Sequence, residues 1–152
     1  DTLCSFRVNF NPGKFRSPEE YTKGGNLTEK VDIYQMGNVF YSLLTLLLPF
    51  EGVVEGETTT IPDKNNDSNH DDVAVIQQMI RDGERPDLTL MNDDRSTTDG
   101  NGEGEEMVSR VLKEAIEMCW RQNPLDRPTA SEIVEFLEKE LDRIIDTVLE
   151  YS

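Results

Sequence analysis

The stretch Val31-Asp32-Ile33-Tyr34-Gln35-Met36-Gly37-Asn38-Val39-Phe40-Tyr41-Ser42-Leu43-Leu44-Thr45-Leu46-Leu47-Leu48 decides the fold. Wound as a helix, it leaves no polar face: Val31, Ile33, Met36, Val39, Phe40, Leu43, Leu44, Leu46, Leu47 and Leu48 fall on nearly every side. A helix apolar all round lies at the centre of a protein or in a membrane. The pattern predicts a buried central helix over residues 28–48, with Thr28 as N-cap and Pro49 as its stop. The uncharged run from Ile33 to Phe50 has 18 residues, enough to raise a membrane span. Gln35, Gly37, Asn38, Ser42 and Thr45 interrupt it, Asp32 stands at its start and no basic flank anchors it. The membrane reading is therefore set aside.

Upstream, residues 1–23 read as irregular chain punctuated by Pro12-Gly13 and Ser17-Pro18. Downstream, 51–72 is a polar loop. Residues 72–82 form a short amphipathic helix, with Val73, Ile76, Met79 and Ile80 on one side and Gly83 as its end. Residues 92–106 are a low-complexity loop too polar to pack. A helix over 107–121 carries Val108, Val111, Leu112, Ala115, Ile116 and Cys119 at three- and four-residue spacing. Pro124 and Pro128 bracket a turn. Thr129 and Glu132 then form a capping box that opens a final helix over 130–150. Its stripe of Ile133, Leu137, Leu141, Ile144 and Val148 is expected to dock on a core.

The chain has 152 residues and a net charge of −16. Such a surface repels phosphate backbones and anionic lipid, so no nucleic-acid partner is assigned and membrane binding is disfavoured. The acid is concentrated. Residues 51–72 hold seven acidic side chains against Lys64, and 92–106 hold six against Arg95. These inserts read first as solvated loops and second as a docking surface for a basic protein partner. Cys4 and Cys119 cannot make a disulfide scaffold, His70 is isolated, and no zinc-type spacing occurs. A reducing, cytoplasmic or intracellular setting is the default expectation.

Three motifs in fixed order go further. They are Ser17-Pro18-Glu19-Glu20, then Asp32 with Gly37 five residues on, then Cys119-Trp120 followed by Pro124 and Arg127-Pro128-Thr129. Between the last two lies Gly83-Glu84-Arg85-Pro86. Together these resemble a protein kinase domain from the end of its activation segment onward: the Ala-Pro-Glu, the Asp-x4-Gly helix, the Gly-x-Arg-Pro and the Cys-Trp to Arg-Pro-Thr segment. The Cys-Trp pair gives a tyrosine-kinase-like flavour. The implied fold is mainly α: a kinase-like large (C-terminal) lobe of helices only, spanning residues 1–146, with the small-lobe sheet absent from this chain.

The resemblance also implies roles. Glu19 would pair with Arg127, clamping the segment end to the last helices. Asp32 would support the catalytic loop, and Val39 and Leu43 would form the base of a core column. Gly13, Lys14, Phe15 and Arg16 would face substrate, as would the 72–82 helix. A Gly-rich loop, a strand Lys, a catalytic Asp and a metal-binding Asp, which phosphoryl transfer requires, are not found in the sequence. ATP and Mg2+ are therefore expected for a parent domain and not on this chain. The parent reads as a protein kinase acting on protein Ser/Thr, with a pseudokinase scaffold as the alternative. The central helix, lacking neighbours on one side, is expected to leave an exposed apolar patch, so that the isolated chain folds poorly.

Overall fold

The computed structural model describes residues 5–6, 13–22, 26–51, 69–88 and 102–150; at 69–72 and 102–105 only the backbone enters the account below. The middle of each acidic insert, residues 52–68 and 92–101, lies outside the described residues, as do Cys4 and 7–12.

Four helices carry the fold: α1 (Lys30–Thr45), α2 (Asn69–Arg81), α3 (Gly102–Cys119) and α4 (Ala130–Glu150). Among the described residues two 3-10 turns, Pro18–Tyr21 and Pro124–Asp126, precede α1 and α4. Among the described residues the β-structure is one antiparallel bridge, Phe6 to Leu27.

The core forms where α1 and α3 pack together. Tyr34, Tyr41, Ile116 and Trp120 meet Ile76 and Ile80 of α2, with Tyr21 and Phe50 closing the cluster. The Trp120 ring lies 5.6 Å from that of Tyr41 and 6.5 Å from that of Tyr34. Such tilted aromatic contacts add to area burial. A second, smaller cluster joins Ile33, Cys119 and Ile133, tying α4 to the same centre.

Helix α1 departs from expectation. It ends at Thr45, before Pro49, because Leu46 adopts a left-handed conformation (φ 61°). The Thr45 hydroxyl replaces the helical ladder by donating to the Tyr41 carbonyl and accepting from the Leu47 N–H. Nor is α1 buried all round. Val31, Ile33, Tyr34, Gly37, Asn38 and Tyr41 face the core, while Val39, Leu43, Leu46 and Leu48 are 55–79% exposed. The other helices of the chain cover one side of α1 only, so the opposite apolar side faces solvent.

Helix α2 begins at Asn69, taking in the end of the first acidic stretch. It closes as predicted at Gly83, whose φ of +91° suits glycine alone among ordinary residues. The N–H of Glu84 reaches the Met79 carbonyl and that of Gly83 the Ile80 carbonyl, the paired bonds of a Schellman stop. Helix α3 starts at Gly102, so residues 102–106 are helical and not loop. Acidic residues suit the first turn of a helix, where the dipole favours negative charge. In α4 burial weakens after the first two turns, although Ile144 stays half-buried. Ile133 is buried and Leu137 half-buried, but Leu141, Ile145, Val148 and Leu149 are exposed. The stripe outruns the core that α3 offers it.

Candidate functional site

The turn Pro18–Tyr21 is built by its own sequence. Pro18 presets the first helical φ, and the Glu20 carboxylate accepts from both the Ser17 N–H and its hydroxyl at 2.8 Å. Glu20 is held in turn by Arg16 at 2.6 Å. This leaves the next carboxylate, Glu19, free to face the far end of the chain.

Glu19 meets Arg127 across 108 positions of sequence. Two parallel bonds form, 2.6 Å and 2.9 Å, one to each carboxylate oxygen. The Arg127 side chain is wholly buried and that of Glu19 is 17% exposed. Every arm of the guanidinium is used: Nε donates to the Arg121 carbonyl, and the other nitrogens also reach the carbonyls of Lys30 and Gln122. The planar fork of arginine supplies five donors in this geometry, which lysine cannot. Arg127 also lies 5.1 Å from the Tyr34 ring centroid, and Arg85 lies 5.2 Å from the same ring. Burial pushes the Tyr34 hydroxyl up to about 12, against the two guanidiniums, which pull it down.

Asn38 forms a second long-range lock. Its amide donates to the Phe15 carbonyl at 2.8 Å, and its oxygen accepts from the Trp120 indole at 2.9 Å. One side chain of α1 thus joins the segment before Ser17 to the end of α3. Gly37 allows the approach: a Cβ there would lie 2.8 Å from the Trp120 ring and 2.9 Å from the Cys119 Cβ. The lead-in is pinned a third time by Tyr21, whose hydroxyl donates to the Gly13 carbonyl at 2.6 Å and accepts from the Arg16 N–H.

Gly13, Lys14, Phe15 and Arg16 therefore sit together on one half-buried strap over Tyr21 and Asn38. Asp32 is exposed in the first turn of α1. Val39 and Leu43 lie on the solvent-facing side of α1, away from the ion pair. The residues missed from the sequence are Lys30, Asn38 and Gln122, while Arg85 was marked by its motif but given no partner. Arg85 donates to the Trp120 carbonyl and to the Gln122 side chain, while Gln122 reaches the Arg81 carbonyl. These bonds tie the Arg85-Pro86 motif to the Cys119-Trp120 motif. Gln and Lys at such places carry no periodicity signal, so no sequence pattern marks them. Among the described residues no group of three or more His, Cys, Asp or Glu could hold a metal ion.

The chain is 30% identical over 141 residues to the serine/threonine/tyrosine-protein kinase HT1 of Arabidopsis thaliana, a match covering 91% of this chain and 27% of that protein. It is 27% identical over 128 residues to the human lymphokine-activated killer T-cell-originated protein kinase, covering 84% of this chain and 34% of the relative. A probable serine/threonine-protein kinase of Dictyostelium discoideum is 28% identical over 128 residues, 84% of this chain and 10% of the relative. The chain is protein-kinase-related. No family model matches it. This kinase-related chain spans between about a tenth and a third of the length of these curated relatives. Its mainly α architecture is that of a kinase-like large-lobe segment, with Glu19 and Arg127 locking the Ser-Pro-Glu turn to the Arg-Pro-Thr segment. No described helix is long and apolar enough to cross a membrane.

Proposed function

We propose that this chain is the substrate-side part of an ATP-dependent protein kinase that phosphorylates Ser or Thr in proteins. The single observation behind the reading is the buried bidentate pair of Glu19 and Arg127. It holds the Ser-Pro-Glu turn rigidly against the helical body, which phosphoryl transfer needs because its catalysis is largely positioning. ATP and Mg2+ would bind to residues of the parent outside this chain. Here the strap of residues 13–16 and α2 would receive the protein substrate, Asp32 would steady the catalytic loop, and Val39 and Leu43 would seat the rest of the domain. The parent is expected in the cell interior, and the acidic inserts are available to a basic protein partner.

The test uses the full-length parent protein. Incubated with magnesium-ATP and a general protein substrate, it should transfer phosphate to Ser or Thr, and magnesium-ATP should raise its melting temperature. No transfer and no thermal shift would overturn the catalytic reading and leave a binding scaffold.

A further inference from the structure

We propose that the surface joining the 13–16 strap to α2 is a cationic seat for an acidic peptide, with Lys14 and Arg81 as its two charges. The inference relies on the kinase reading only in naming that peptide as substrate.

The argument begins with which charges are already satisfied. Around the strap, Glu20 is taken by Arg16 and Glu19 by Arg127. The Asp82 carboxylate is occupied by the Gln78 amide at 2.8 Å and 2.9 Å. Lys14 is half-exposed and makes no ion pair or hydrogen bond among the described residues. Arg81 is exposed, and among the described residues its side chain donates to the Gln78 oxygen and lies over the Tyr21 ring, 5.9 Å from the ring centroid. Neither Lys14 nor Arg81 has a carboxylate partner among the described residues.

They share that surface through a short chain of contacts. The Tyr21 hydroxyl donates to the Gly13 carbonyl beside Lys14, and the Gln77 amide reaches the same carbonyl at 3.4 Å. Arg81, one helical turn after Gln77, lies over the Tyr21 ring. Tyr21 and Gln77 are buried, so the seam between the cations is rigid. Beside Arg81 an open cavity of about 360 Å3 continues between Pro18, Glu19, Thr22, Gln122 and Pro124, with room for the side chains of an extended peptide. Carboxylates on such a peptide would meet two cations there, while the nearest described carboxylates, Glu19 and Glu20, are already paired with Arg127 and Arg16.

Binding is measured directly, so the outcome does not depend on catalysis. A fluorescent Glu-rich peptide and a Gln-matched control are titrated against the full-length parent. The Glu-rich peptide should bind roughly tenfold more tightly at low salt, as two exposed charge contacts allow, and the gap should shrink as salt rises. Lys14→Gln with Arg81→Gln should bring the two affinities to within about twofold. Equal affinities for the unmodified protein, or a preference that survives the double substitution, would overturn the proposal. Should the double variant lose its fold by circular dichroism, Lys14→Gln alone, which removes no bond, decides by the same comparison. Loss of phosphoryl transfer in the parent would sink the kinase reading without touching this result.

Discussion

Lys30 and Arg127 each hydrogen-bond the other's backbone carbonyl. The Lys30 ammonium donates to the Arg127 carbonyl at 2.8 Å, and the Arg127 guanidinium donates to the Lys30 carbonyl at 2.9 Å. Both residues are buried. Two cations side by side are tolerated because Glu19 offsets Arg127 and because the donors end on oxygen. The exchange fastens the start of α1 to the turn before α4.

Arg127→Lys should destabilise the domain by about 3 kcal/mol, in the range for breaking one side of a buried pair. Lysine keeps the charge but loses the fork that serves Glu19 and the three carbonyls. Urea unfolding of the parent's kinase-related domain measures it. A loss below about 1 kcal/mol would show that Glu19 and Arg127 are not the clamp.

Gly37→Ala should cost about 1–3 kcal/mol through overpacking, because the new methyl meets Trp120 and Cys119 inside 3.0 Å. Tryptophan fluorescence should shift with it, since the chain has one Trp. An unchanged melt and spectrum would mean that α1 and α3 do not approach this closely.

Asn38→Ala should cost about 1–3 kcal/mol, because it strands the Trp120 N–H in the core. The same change frees the Phe15 carbonyl, so protease cleavage in the strap should quicken as well. Stability loss without faster cleavage would separate the two roles.

Stability should fall between about pH 9 and pH 12. Burial pushes the Cys119 thiol up to about 12, with Arg127 pulling the other way, and pushes Tyr34 to a similar value. Unfolded, these groups lose protons near 9 and 10, while the folded chain keeps them protonated. The unfolded state then binds fewer protons, so unfolding gains on folding as pH rises; below pH 9 neither group contributes a slope. The same burial keeps the Cys119 thiol neutral, so alkylation of Cys119 at neutral pH should wait for unfolding. Rapid labelling of native protein at Cys119 would contradict its placement in the core.

Leu43→Gln separates the chain from its parent. In the isolated chain Leu43 is 67% exposed, so the change should alter stability by less than about 0.5 kcal/mol and improve solubility. In the parent it should cost about 2 kcal/mol or more, if the rest of the domain covers this side of α1. Equal small effects in both would mean that Val39 and Leu43 seat nothing.

Much was legible along the chain. Gly83 ends α2 through its backbone freedom, Thr129 and Glu132 open α4, and the periodicity of α2 and α3 reports their buried faces. These are local effects, settled within four or five residues. The pairing of Glu19 with Arg127 was legible only through the resemblance, since nothing in spacing joins positions 108 apart. Lys30 and Arg85 gave no hint of burial, because a long cationic side chain is outside by default and goes inside only when carbonyls and rings await it.

What the sequence determined by itself is that four helices form, where α2 stops and α4 starts, and which residues avoid water. Which of those residues find cover was decided by the tertiary structure. Leu43 and Tyr41 stand two positions apart on the same apolar helix, yet one faces solvent and the other is buried against Trp120. Likewise the stripe of α4 is continuous in sequence, but Ile133 and Leu137 pack on the core while Leu141 and Val148 are exposed. Hydrophobicity is a property of each residue, whereas burial needs a partner surface, and partner surfaces exist only once distant segments have met.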